Sequence, residues 1–159
     1  MRTPANVARH PIHPMLVPIP IGLWLFSLVC DVVFVLGWGG DTWRTVAFYN
    51  MVAGVIGALV AAIPGLIDML SLPAGPKRTA IIHMSLNLTI VALYVVNIWL
   101  RVVNPEQLRV PLMLSVVAVA LLTVSGWLGG KLVYEHGVAV DTSEEPARLH
   151  GARSDHVLR

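Results

Sequence analysis

Residues 79–103 read TAIIHMSLNLTIVALYVVNIWLRVV. The stretch is long enough to cross a bilayer, for which about 20 apolar residues suffice, and its polar members are not scattered. His83, Asn87, Tyr94, Asn97 and Arg101 follow the i, i+4, i+7 progression of one helical face, with Ile90 filling the gap. Polar groups in a membrane are costly unless they find partners, so this face is expected to point into a helix bundle and not at lipid. Two readings of the stripe are open: hydrogen-bonding glue between helices, or a conduit for protons or ions.

Three further apolar runs, 15–37, 45–70 and 110–134, complete a set of four. They lack the alternating polar positions of an outer-membrane barrel, so helices are expected. Trp38-Gly39-Gly40-Asp41, the 71–77 segment with Pro73, Gly75 and Pro76, and Asn104-Pro105-Glu106 supply turn chemistry between them. Short connections make neighbours antiparallel, which predicts an all-α, up-down-up-down four-helix membrane bundle over residues 1–140. Arg2 and Arg9 precede the first run as in a signal peptide. That run is too long and ends without a small-residue cleavage site, so it reads as a retained helix. The charged 141–159 tail lacks an apolar face and reads as disordered, with His150 and His156 solvated in it.

Composition agrees. Of 159 residues 56% are hydrophobic and 13% charged, with a mean hydropathy of +0.74, which excludes an ordinary soluble domain. Four spans leave no room for a separate catalytic domain, so any function lies in or at the edge of the bilayer. The net charge of +2 is an orientation signal and not a nucleic-acid footprint. Arg2, Arg9, Lys77, Arg78, Lys131, Arg148, Arg153 and Arg159 fall on the side of the termini, against Arg44, Arg101 and Arg109 on the other. Eight against three places both termini in the cytoplasm. Cys30 is the single cysteine, which rules out an internal disulfide or a cysteine-built metal centre.

Small residues mark where helices approach closely. Ala53, Gly57, Ala61 and Gly65 recur at intervals of four on the second span, with Gly54, Ala58 and Ala62 on the next row. The fourth span carries Ser125, Gly126, Gly129 and Gly130. Such ridges serve helix packing, within the chain or in a homo-oligomer, or the bed of a flat cofactor.

Depth sorts the polar residues into two layers. Near the outer boundary lie Asp31, Asn50, Asn97 and Arg101, and an Asp31–Arg101 ion pair is expected because an unpaired carboxylate there is costly. The inner layer holds His10, His13, Asp68, His83, Glu135 and His136, with Met15, Met69 and Met84 at similar depth. Two neutral imidazoles from different helices can ligate a haem iron axially, and a carboxylate on the far ring nitrogen raises their basicity. His83 with His13 or His136 would form that pair, and Asp68 would be the carboxylate. A transition-metal ion without haem would instead draw on three or more of His10, His13, His83, His136 and Asp68. In His10-Pro11-Ile12-His13-Pro14 the prolines argue for an extended or capped entry to the first span, and Pro18 and Pro20 for a loosened first turn.

The runs HPIHPMLVPIPIG (10–22), GLID (65–68), His83 and GWLGGKLVYEHGV (126–138) resemble a bacterial family of four-span inner-membrane proteins of unknown function. The resemblance covers the chain to about residue 140. It implies a multi-pass protein of the bacterial inner membrane, and its shared positions are His10, His13, Asp68, His83, Gly129 and Gly130. Some members join this module to a Rieske-type iron–sulfur domain, which implies a link to redox chains. No such domain lies within these 159 residues, so an electron partner is expected to be a separate protein. The leading expectation is a membrane redox protein binding b-type haem, or exchanging electrons with quinone, near the cytoplasmic boundary. The His, Asp, Gly129 and Gly130 positions form its cofactor site. A non-redox metal-binding or transport protein, and a cofactor-free assembly subunit, are the alternatives.

Overall fold

A computed structural model describes residues 3–140; the 141–159 segment, with His150 and His156, lies outside the described residues. A two-stranded antiparallel hairpin, β1 (Asn6–Val7) and β2 (His10–Pro11), leads into α1 (Ile12–Leu16) and α2 (Pro18–Val35). The chain continues through α3 (Asp41–Ser71), α4 (Ala74–Val103) and α5 (Arg109–Tyr134). The four apolar runs thus become four helical spans, the first made of α1 and α2 together. Extended Pro11 is the irregular entry that the prolines imply, whereas Val17 keeps helical dihedrals and joins α1 to α2 without a kink in its own backbone. α3 and α4 start earlier than the apolar runs do. Asp41 suits the positive end of the α3 dipole, and Pro76 sits in the first turn of α4, where a missing N–H costs nothing.

The bundle has an apolar exterior and a partly polar interior, as lipid demands. Leu25, Val29, Ile56, Ile63, Val95 and Val117 are exposed, whereas Ser27, Asp31, Asn97, Ser115 and Ser125 are buried. Lipid offers no hydrophobic drive for helices to associate, so close packing and interhelical hydrogen bonds must hold them. Glycine supplies the first. A Cβ on Gly54 would lie 2.4 Å from Trp24 Nε1, and one on Gly65 would lie 2.8 Å from the His13 ring. Gly57 faces Pro20 at ordinary contact distance. The small-residue ridge of α3 is therefore used inside the chain, against α1 and α2.

The third-span stripe faces inward as its spacing predicts. The Tyr94 ring stacks on Trp24 with centroids 4.5 Å apart and planes 7° from parallel. Asn97 donates from Nδ2 to the Pro111 carbonyl and to Ser115 Oγ, both at 2.8 Å. Arg101 grips Asp31 with two hydrogen bonds of 2.9 and 2.6 Å and donates from Nε to Asn97 Oδ1. Fully buried Ile90 and the Trp24–Tyr94 stack close the middle of the stripe, and its interhelical hydrogen bonds lie beyond them, at Asn97 and Arg101.

Asp31 is fully buried and the Arg101 side chain is 8% exposed, so removing one partner strands a charge. Asp31→Ala or Arg101→Ala is expected to cost about 3 kcal/mol or more. The double variant Asp31→Leu/Arg101→Leu should cost less than either. Thermal unfolding in detergent micelles measures all three.

Candidate functional site

Two histidines from the inner layer meet. His13 on α1 and His83 on α4 lie with ring centroids 6.5 Å apart and planes 87° from parallel. Both line a cavity of about 380 Å³ between the α1–α2–α3 and α4–α5 hairpins. The cavity is walled chiefly by apolar side chains, with Asp68, Asn87 and Ser125 among the few polar ones. Leu59, Leu66 and Leu88 line it and are also exposed on the outer surface, so it opens sideways through the apolar belt.

Each imidazole is held in the same way. His13 Nδ1 lies 2.8 Å from the Ala61 carbonyl oxygen, and His83 Nδ1 lies 2.9 Å from that of Ser125. A carbonyl oxygen only accepts, so in both rings Nδ1 carries the proton and Nε2 the lone pair. A helical carbonyl lies beneath the side chain four residues on, and here that residue is glycine in both helices. Gly65 follows Ala61 and Gly129 follows Ser125. A Cβ at Gly129 would come within 3.2 Å of the His83 ring. The glycines uncover the carbonyls and let the rings lie against the helix. Pro64 loosens α3 at the same place by removing one backbone donor.

The two Nε2 atoms differ in surroundings. Asn87 donates from Nδ2 to His83 Nε2 at 3.1 Å and to its own helix at the His83 carbonyl, 2.8 Å away. His13 Nε2 makes no hydrogen bond among the described residues.

Other expected members stand elsewhere. His136 lies beyond α5 and away from the cavity, so His13 and not His136 is the neighbour of His83. His10 is exposed and folds back on the Ala8 carbonyl, within the turn of the β1–β2 hairpin. Asp68 borders the cavity, yet its Oδ1 accepts a buried hydrogen bond of 2.8 Å from the Ala5 N–H. It pins the amino-terminal segment instead of orienting an imidazole, and backbone carbonyls take that role. Gly129 lines the cavity, whereas Gly130 turns towards Tyr134. Met15 is exposed, and Met69 and Met84 line the cavity wall. Among the described residues no group of three or more His, Cys, Asp or Glu side chains converges as a metal site would require.

Fold and site together define a multi-pass α-helical membrane protein with a histidine pair in a cavity between two helix hairpins. The chain belongs to the DUF2231 family of predicted membrane proteins, whose model matches residues 9–142. No curated protein and no solved structure matches it.

The shared tautomer is open to direct measurement. In protein labelled with ¹⁵N-histidine, His13 and His83 are expected to carry a hydrogen-bonded proton on Nδ1. Gly65→Leu should shift only the His13 signals and Gly129→Leu only those of His83.

Proposed function

We propose that the protein is a small membrane redox protein that holds b-type haem between His13 and His83. The observation that carries this reading is a pair of imidazoles, joined by no third His, Cys, Asp or Glu among the described residues, with each Nδ1 held by a carbonyl and centroids 6.5 Å apart. His13 and His83 would be the residues to hold one iron between them, from two different helices. A porphyrin brings four nitrogens of its own and asks the protein for two axial ligands. A bare ion in a closed site asks for more than two. The neighbouring cavity gives a flat apolar ring a place, which a bare ion would leave without a purpose.

When bound, the haem supplies one-electron transfer. The chain's own residues do the rest. Ala61 and Ser125 fix ring orientation and tautomer through their carbonyls and raise imidazole basicity. Gly65 and Gly129 seat the rings, and the apolar walls exclude water. The sideways opening favours exchange with a lipid-soluble quinol, and a separate redox protein is the other electron partner. The count of basic residues supports both termini in the cytoplasm, and the family resemblance implies a bacterial inner membrane.

Protein purified in mild detergent from haem-sufficient cells is expected to carry about one haem per chain, with sharp bands on dithionite reduction. His13→Ala and His83→Ala should each abolish it, whereas His10→Ala and His136→Ala should retain it. Full haem in the His83 variant overturns the assignment. A stoichiometric metal without haem would support the transition-metal reading, and absence of both a cofactor-free assembly subunit.

A further inference from the structure

We infer that the chain is a tandem repeat of one helix hairpin, its two copies facing each other across a two-fold axis along the membrane normal, with the ligand site on that axis. The first copy is α1–α2 followed by α3, and the second is α4 followed by α5.

Three contacts between the copies join positions at one constant offset. His13 meets His83, Trp24 stacks on Tyr94, and Asp31 pairs with Arg101, 70 residues apart each time (13 to 83, 24 to 94, 31 to 101). A residue that touches its own equivalent must lie at a two-fold axis, as in any isologous interface. The three contacts span 18 positions (13 to 31) of the first helix, about 27 Å at 1.5 Å per residue. Self-equivalent contacts through that depth fix the axis parallel to the helices, an arrangement of parallel repeats known for membrane proteins.

The second helices repeat at an offset of 64. His13 donates to Ala61 beside Gly65, and His83 donates to Ser125 beside Gly129 (61 to 125, 65 to 129). Burial keeps the same register. Ala47, Met51, Gly54 and Ala61 are buried on α3, and Pro111, Ser115, Ala118 and Ser125 on α5. On the first helices Pro20, Trp24 and Ser27 are matched by Ile90, Tyr94 and Asn97. The fall in offset from 70 to 64 lies in the helix ends: the turns 36–40 and 104–108 are equally long, but α4 ends two residues short of the equivalent of Val35 and α5 starts four residues after the equivalent of Asp41.

The copies have diverged where divergence matters. Two identical hairpins would set Asp31 against aspartate or Arg101 against arginine on the axis, and a buried like-charge pair is forbidding. Opposite charges bind each copy to the other and not to its own kind. Asn87 corresponds to Val17, which gives the two imidazoles unequal Nε2 surroundings. The placing of haem iron on the axis, with one equivalent imidazole from each copy, rests on the haem reading. The repeat itself does not.

Equivalence across the axis predicts that side chains can be exchanged between copies. In the full chain, D31R/S27N/M51S moves the Arg101 network to the first copy, and R101D/N97S/S115M does the converse. Either set alone is expected to lose most folded protein, because like charges meet. The six substitutions together should restore a monodisperse protein with a melting temperature near wild type. Recovery no better than either half set overturns the repeat. A second measurement needs no core substitution. Spin labels on the exposed pairs Ile19→Cys/Thr123→Cys and Thr89→Cys/Leu59→Cys should report the same distance, and distinct distances would also overturn it. Both readouts are independent of cofactor. Matching distances with no haem in wild-type protein would leave the repeat standing and remove the haem reading.

Discussion

Asp31 and Arg101 sit on opposite hairpins and meet as a bidentate pair where neither charge can reach bulk water. In lipid the apolar side chains gain nothing by turning inward. The hairpins are therefore joined by this ion pair, which cannot face lipid, and by the stacked rings of Trp24 and Tyr94. Once the pair closes the outer half of the bundle, the inner half follows as a consequence of helix geometry. The helices that carry Asp31 and Arg101 also carry His13 and His83. The contact at one end thus brings the imidazoles together edge to face at the other, beside a cavity lined mostly by apolar side chains.

The imidazoles owe their chemistry to glycine. A helical carbonyl is ordinarily covered by its own helix, and a side chain seeking it meets the Cβ of the next turn. Gly65 and Gly129 remove that Cβ, and the Ala61 and Ser125 carbonyls then take the Nδ1 protons. The result is a pair of rings, each oriented by an Nδ1–H hydrogen bond, in an apolar wall. Asp68 is spared for another purpose, holding the Ala5 amide and with it the β1–β2 hairpin. That hairpin turns through Ala8 and Arg9, both with positive φ, a conformation that costs non-glycine residues about 1 kcal/mol each. Its docking onto α3 is what offsets the strain.

Much of this was legible in the chain. Spans follow from length and hydropathy, and the inward stripe of α4 follows from the 3.6-residue period. The Asp31–Arg101 pair follows from depth, because each position fixes how far along its helix a charge lies. Depth does not fix azimuth, so His13 and His136 were equal partners for His83 until the helices were packed. Carbonyl acceptors carry no residue signature, which hid the roles of Ala61 and Ser125 and lent Asp68 a place beside an imidazole that it does not take. The repeat was obscured by its own divergence. His13/His83, Leu23/Leu93 and Gly65/Gly129 keep their identities, but Asp has become Arg and Trp has become Tyr. The register also slips by six residues, because the helix ends on either side of the second turn are shorter.

Ligand geometry gives the account its most direct test. The rings stand 87° apart, and ferric low-spin haem with mutually perpendicular axial imidazoles has a distinctive, strongly anisotropic electron paramagnetic resonance spectrum. Low-temperature spectroscopy of the oxidised, purified protein is expected to give that single low-field signal, lost in His13→Ala and in His83→Ala. A high-spin spectrum, the rhombic spectrum of near-parallel rings, or no haem signal would contradict a cofactor held between these two histidines.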